Sequence, residues 1–168
     1  MTDLDAPPFS PALGHVDEHG RARMGDVSPK PTTARTAVAA GRVVLGEEAF
    51  RLVKENRIRK GDVMTVAQIA GVLGAKQASR LIPLCHDVLL QNVEVDFELD
   101  EAASAVEIRV ITKSEGPTGV EMEALTAVAI AALTIYDMCK SVSKEIGITD
   151  VRLLAKTGGQ SGDYRRGG

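Results

Sequence analysis

Glu123, Thr126, Ile130, Leu133, Asp137 and Lys140 recur at helical spacing, with Lys144 continuing the row. The face they make is polar at both ends and apolar in the middle. At one end Asp137 and Lys140 stand three residues apart, and two readings are open. An exposed ion pair contributes less than about 1 kcal/mol. A buried acid beside an amine lets each set the other's pKa for proton transfer. At the other end Thr118-Gly-Val-Glu121 fits a capping box, in which the Thr118 hydroxyl caps the helix and Glu121 reaches back. Glu123 projects about 200° away from Glu121. Fourteen residues of helix set Glu123 and Asp137 about 21 Å apart. They cannot both touch one small substrate from one chain. If both serve one site, a second copy supplies one of them, and the site is composite at a twofold interface.

Other groups carry weaker chemistry. Arg51, Lys54, Arg57, Arg59 and Lys60 gather positive charge; they read either as a solvated helix face or as a local field for a polyanion such as a triphosphate. Lys60 directly precedes a predicted helix start at Asp62, where amide donors also attract anions. Residues 156–162 form a glycine-rich loop that either wraps an anion or is a loose tail. His86 is the one histidine beyond the first 24 residues and reads first as a satisfied structural group. Cys85 and Cys139 read as small core residues rather than a disulfide framework. His15 and His19 have metal-like spacing, but with no Cys/His cluster around them a zinc site is not expected. No Walker pattern occurs.

These residues need elements to position them. The chain has 168 residues, 44% hydrophobic and 26% charged, which is one globular domain with a real core. Its net charge of −3 and 3% aromatic content argue against a nucleic-acid-coating or base-stacking surface. No apolar run reaches the roughly 20 residues of a membrane span, and the first 20 residues lack signal-peptide order. The reading is a cytoplasmic protein with reduced thiols, divided into a flexible tail at 1–24, a catalytic domain at 25–157 and a glycine-rich segment at 158–168. Predicted elements are a strand at 36–45, a helix at 47–56, a helical stretch at 62–80 broken near Gly71 or Gly74, and an irregular link at 81–86. An alternating hairpin covers 92–111 with its turn at 100–104. A helix of about 26 residues follows at 119–145, and a strand at 148–154. Its centre, 127–135, is apolar nearly all round, which calls for cover on more than one side. The order β-α-α-β-β-α-β is an α+β, ferredoxin-like sandwich: an antiparallel sheet with helices on one face. Fold alone leaves a nucleotide-sensing module open as a rival to an enzyme.

Several strings together are more specific. Lys60-Gly-Asp-Val, Ala70-Gly with Ala75-Lys76, Leu81-Ile-Pro-Leu-Cys-His86, Thr118-Gly-Val-Glu-Met-Glu-Ala-Leu-Thr126, Leu133-Thr-Ile-Tyr-Asp-Met-Cys-Lys140 and Val151-Arg-Leu-Leu-Ala-Lys156 with Ser161-Gly-Asp163 occur in order. Over residues 24–164 the chain resembles the cyclic pyranopterin monophosphate synthases of molybdenum cofactor biosynthesis. The resemblance implies a lyase that converts 3',8-cyclo-7,8-dihydro-GTP, supplied by a radical S-adenosylmethionine enzyme, to the cyclic pyranopterin monophosphate with release of pyrophosphate. It implies a homohexamer, a trimer of dimers with sites at the dimer interface, and no nucleic-acid or membrane partner. No cofactor or resident metal is required, with Mg²⁺ accompanying the triphosphate or pyrophosphate left open. It makes Asp137, Lys60 and Lys140 catalytic. Leu84, Cys85, His86, Glu121, Met122 and Glu123 become substrate-binding, and Arg35, Lys76 and Lys156 become basic positions for the phosphates. Pro117 stands where some members carry Lys or Arg.

Overall fold

The computed structural model describes residues 19–167. Most of the segment read as a tail, His15 included, lies outside the described residues. The elements are β1 (Thr33–Val44), α1 (Glu47–Lys54), α2 (Val63–Lys76), α3 (Ala78–Leu81), β2 (Leu90–Asp100), β3 (Ala105–Gly116), α4 (Glu121–Cys139), β4 (Gly147–Thr157) and β5 (Tyr164–Arg165). They form one five-stranded sheet in the order β2-β3-β1-β4-β5, antiparallel at every pairing. The four long strands have the ferredoxin-like order, and the fold class is α+β as expected.

The hairpin follows its alternation. Val95 pairs with Val110, Phe97 with Ile108 and Leu99 with Val106. Val106, Ile108 and Val110 are buried on the helix side, while Glu94, Asp96, Glu107 and Arg109 point the other way. On β1 the helix-facing residues are small: Ala37 and Ala39 are fully buried, and a Cβ added at Gly41 would sit 2.5 Å from Val128 Cγ1. α4 therefore lies unusually close to the central strand. Its own facing residues, Ala127, Val128, Ala131, Ala132 and Ile135, are fully buried. By length and hydropathy α4 is apolar enough to cross a membrane, contrary to the sequence expectation. Packed between the sheet and α2, with 56% of its apolar window buried, it has the character of a core helix.

Several boundaries differ from expectation. α2 is not broken at Gly71 or Gly74. Its N-cap Asp62 accepts from the Thr65 amide at 3.0 Å, and it runs intact to Lys76. Those glycines lie against α4: added Cβ atoms would sit 3.3 Å from the Ala127 carbonyl oxygen and 2.8 Å from Ile130 Cγ1. They are there for close approach, not to end the helix. α4 spans 19 residues rather than about 26, and its N-cap is Val120 without a side-chain bond, so the expected capping box does not form. Glu121 instead turns toward Lys156, at 3.6 Å. Much of the cover over the far side of α4 comes from α2 of the same chain. Among the exposed large apolar side chains are Leu133 on α4 and, on α2, a stripe of Val66, Ile69 and Leu73. The chain beyond β4, expected as loop, returns as a hairpin in which Lys156 pairs with Tyr164 and Gly158 N–H donates to Asp163 Oδ1 at 3.1 Å.

Gly74→Ala tests the packing account. Alanine raises helix propensity by about 1 kcal/mol, but the added methyl overpacks Ile130 at a cost of about 1–3 kcal/mol. The expected net result in chemical denaturation is a loss of stability.

Candidate active site

At the C-terminal end of α4, Asp137 Oδ2 accepts from Lys60 Nζ and Oδ1 pairs with Lys140 Nζ, both at 2.6 Å. Lys60 Nζ also donates to the Asp137 carbonyl oxygen at 2.7 Å. Lys60 arrives from 77 positions away, carried by the turn at Gly61, whose φ of 104° suits glycine. All three side chains are about half exposed. In the single chain the trio is thus not the buried acid–amine pair of the second reading. Hydrogen bonds from Lys140 and then Lys60 hold the Asp137 carboxyl down to about 2. The same contact raises the Lys140 amine above its ordinary value, opposite to the lowering that proton transfer near neutrality needs. Three members of the basic run nearby are engaged in ion pairs. Arg51 and Arg57 both meet Glu55 at 3.1 Å, and Lys54 meets Glu101 at 2.6 Å.

At the N-terminal end of α4 lies a cavity of about 160 Å³, lined by Leu84, Cys85, His86, Thr118, Met122 and Glu123 among others. Glu123 is 3% exposed. Its Oε1 accepts from Cys85 Sγ at 3.8 Å, and its Oε2 has no hydrogen-bond partner. Burial pushes the Glu123 carboxyl up, and burial followed by the Glu123 charge pushes the Cys85 thiol up to about 11. Cys85 is therefore a thiol that donates, not a thiolate nucleophile. The core-residue expectation holds for Cys139, which is fully buried; Cys85 lines the cavity instead. His86 Nε2 lies 2.7 Å from the Gly25 carbonyl oxygen. A carbonyl only accepts, so Nε2 carries the proton. His86 is both satisfied by backbone and part of the cavity.

The remaining predicted residues divide. Lys156 joins this end of the molecule, between Glu121 and Ser161, to whose Oγ it donates at 2.6 Å. Arg35 is 9% exposed and donates from Nε to the Gly116 carbonyl at 3.2 Å and from Nη2 to the Pro117 carbonyl at 3.1 Å. A Cβ at Gly159 would overlap its Nη1. In the chain Arg35 ties two turns together rather than standing free for phosphates. Lys76 is exposed in the last turn of α2. Lys60 just before α2 meets Asp137 and Cys85 just after α3 meets Glu123, so α2 is antiparallel to α4 and Lys76 lies toward the Glu123 end. One residue escaped the sequence reading: Ser114, 3% exposed, with an unpartnered Oγ. The available signal was a hydroxyl at a core-side position of β3. Among the described residues no group of three or more His, Cys, Asp or Glu side chains is placed to hold a metal ion.

A ferredoxin-like sheet whose core helix carries an acid with two amines at one end and a small polar cavity at the other is the framework of an α+β enzyme with acid–base groups. Residues 24–159 match the model of the MoaC family. A protein of Salinibacter ruber named cyclic pyranopterin monophosphate synthase is 64% identical over 91% of this chain and 90% of its own length. One of the same name from Clostridium acetobutylicum is 49% identical over 95% of this chain and 99% of its own length. Molybdenum cofactor biosynthesis protein 1 of Mus musculus is 56% identical over 96% of this chain, which spans 26% of that longer protein. The chain belongs to the MoaC family and is an enzyme of molybdenum cofactor biosynthesis.

Asp137 gives a pH test. Its folded pKa lies below its ordinary value near 3.9, so the stability it contributes is present above about pH 4 and is lost as pH falls toward about 2. In carbon-13 carboxyl titrations, Lys60→Ala and Lys140→Ala should each move the Asp137 midpoint upward, and the double variant should bring it near the ordinary value.

Proposed function

We propose that this chain converts 3',8-cyclo-7,8-dihydro-GTP to cyclic pyranopterin monophosphate and pyrophosphate, at a site completed by a second copy of itself. The observation that carries the composite reading is the distance between the two half-sites. Asp137 with Lys60 and Lys140 closes one end of α4, and the Glu123 cavity opens at the other, 14 residues away. A rigid helix keeps them about 21 Å apart, more than one nucleotide-sized ligand bridges between reacting atoms. Two copies related by a twofold axis bring one end of each α4 to the opposite end of the other. The exposed stripe of Val66, Ile69 and Leu73 and the exposed Leu133 supply apolar surface for such pairing. We propose the hexameric assembly, a trimer of such dimers, on the same basis and on the family resemblance.

The chemistry asked of the site is proton transfer and phosphoryl displacement. Opening the purine-derived five-membered ring and closing the pyranopterin needs an acid and a base. Closing the cyclic phosphate makes a new P–O bond from a substrate hydroxyl to the α-phosphorus. The α–β phosphoanhydride bond breaks, and its electrons leave with pyrophosphate. Lys60, Lys140 and Asp137 are assigned the proton transfers. Docking against a neighbour desolvates the trio, and desolvation lowers an amine pKa, which opposes the raising that Asp137 imposes on Lys140 in the single chain. Cys85, His86, Met122 and Glu123, with Leu84, are assigned to substrate binding; Lys156 and Lys76 are assigned to the phosphates, and Mg²⁺ enters as the companion of the triphosphate. Glu121 positions Lys156. The substrate arrives from a radical S-adenosylmethionine enzyme, and the setting is the cytoplasm.

Mixing tests the composite site. Glu123→Ala and Asp137→Ala homo-oligomers are each expected to lose nearly all pyrophosphate release from the cyclic dihydro-GTP. After subunit exchange at equal amounts, half the dimers are hybrids, and one of the two sites in each is intact. Activity should return to about a quarter of wild type. No recovery in proven hybrids would exclude the shared site.

A further inference from the structure

The Glu123 cavity has a neighbour. A second space of about 360 Å³ shares Cys85, His86, Val88 and Thr118 with it as a common wall, so the two adjoin. Its volume lies in the range of small-molecule sites, roughly 300–1,000 Å³. Its added walls come from residues assigned no role so far: Met24 and Val27, from the segment that leads into β1, and Ser114 from β3.

Both walls are held in place. On one side His86 Nε2–H donates to the Gly25 carbonyl at 2.7 Å. The same segment is folded on itself by the Ser28 amide donating to Asp26 Oδ1 at 2.9 Å and the Lys30 amide donating to the Val27 carbonyl at 3.0 Å. On the other side Arg35 grips the Gly116 and Pro117 carbonyls. A space bounded by tethered walls binds at a reduced ordering cost. Two polar atoms of residues that line these adjoining spaces have no partner, and their residues are 97% buried: Ser114 Oγ and Glu123 Oε2. A buried polar atom left unpaired costs about 1–3 kcal/mol, so each calls for a partner.

The lining also says which part of a ligand fits. Among the described residues that line the second space, none is Lys or Arg, and Asp87 and Glu115 are acidic. Phosphates are disfavoured there. Met24, Val27 and Leu89 offer apolar surface to a flat ring, and Ser114 offers a hydroxyl that donates or accepts at the ring edge. We infer that residues 24–27 and Ser114 form a ring subsite, which holds the fused heterocycle of a purine-derived nucleotide while its phosphates lie toward the lysines. This rests on the nucleotide-derived substrate proposed above and adds to it the residues that read the base. Met24, Val27 and Ser114 are specificity residues here, and His86 is also a positioning residue for the segment that carries the first two.

Calorimetric titration of the full chain with two probes tests this. GTP carries a purine and phosphates; inorganic tripolyphosphate carries phosphates alone. Ser114→Ala and Met24→Ala should each weaken GTP binding about 5- to 10-fold, the scale of one lost hydrogen bond or apolar contact. Tripolyphosphate binding should change less than about 2-fold, with unaltered melting temperatures confirming the fold. Equal loss for both probes, unchanged GTP binding in both variants, or no GTP binding by the wild type overturns the subsite. The reaction is judged separately. Wild-type protein that binds GTP in a Ser114-dependent way but releases no pyrophosphate from cyclic dihydro-GTP keeps the subsite and removes the reaction. Pyrophosphate release with unchanged KM and GTP affinity in both variants removes the subsite alone.

Discussion

The close seat of α4 on β1 governs the rest of the molecule. Gly41, Ala37 and Ala39 remove side-chain bulk from the central strand, and α4 answers with Ala127, Val128, Ala131 and Ala132. Contacts at this distance are dispersion-rich and intolerant of added volume. They pin one rigid rod of about 28 Å across the sheet. Among the described residues, the Asp137 trio and the Glu123 cavity are then referred to opposite ends of that rod.

The two ends differ in physical character. At the C-terminal end Asp137 and its two lysines are half exposed, so their mutual fields are screened and their charges stay on. At the N-terminal end Glu123 is buried beside a thiol and an open hydrogen-bonding position, and burial favours its neutral form. A half-exposed charged cluster faces one way, and a cavity holding a buried carboxyl the other. That separation, rather than either cluster alone, favours assembly from two copies.

Second-rank contacts place the cavity walls. Arg35 spends its guanidinium on the carbonyls of Gly116 and Pro117, and Gly159 must lack a side chain to let it do so. His86 spends one ring nitrogen on Gly25. Lys156 is held between Glu121 and Ser161. Residues that read by type as phosphate or substrate ligands thus also carry the scaffold of the site. In this chain a basic side chain near the substrate position is not automatically a ligand.

Alternation in 92–111 gave the hairpin and its core-facing side, while the turn at 100–104 fixes the register that pairs Val95 with Val110 and Phe97 with Ile108. Helical spacing put Glu123 and Asp137 on one face, and rise per residue gave their separation. The strings around Lys60, His86, Glu121 and Lys140 were enough for the family. Tertiary structure decided what depends on neighbours distant in sequence. Gly71 and Gly74 look like breaks until α4 is seen against them. Thr118 and Glu121 fit a capping box until Lys156 draws Glu121 aside. Lys60 belongs to a basic run until the chain folds it onto Asp137, 77 residues away. Local pattern records which face a residue shows; burial, partner and charge state are set by whatever the fold brings to that face.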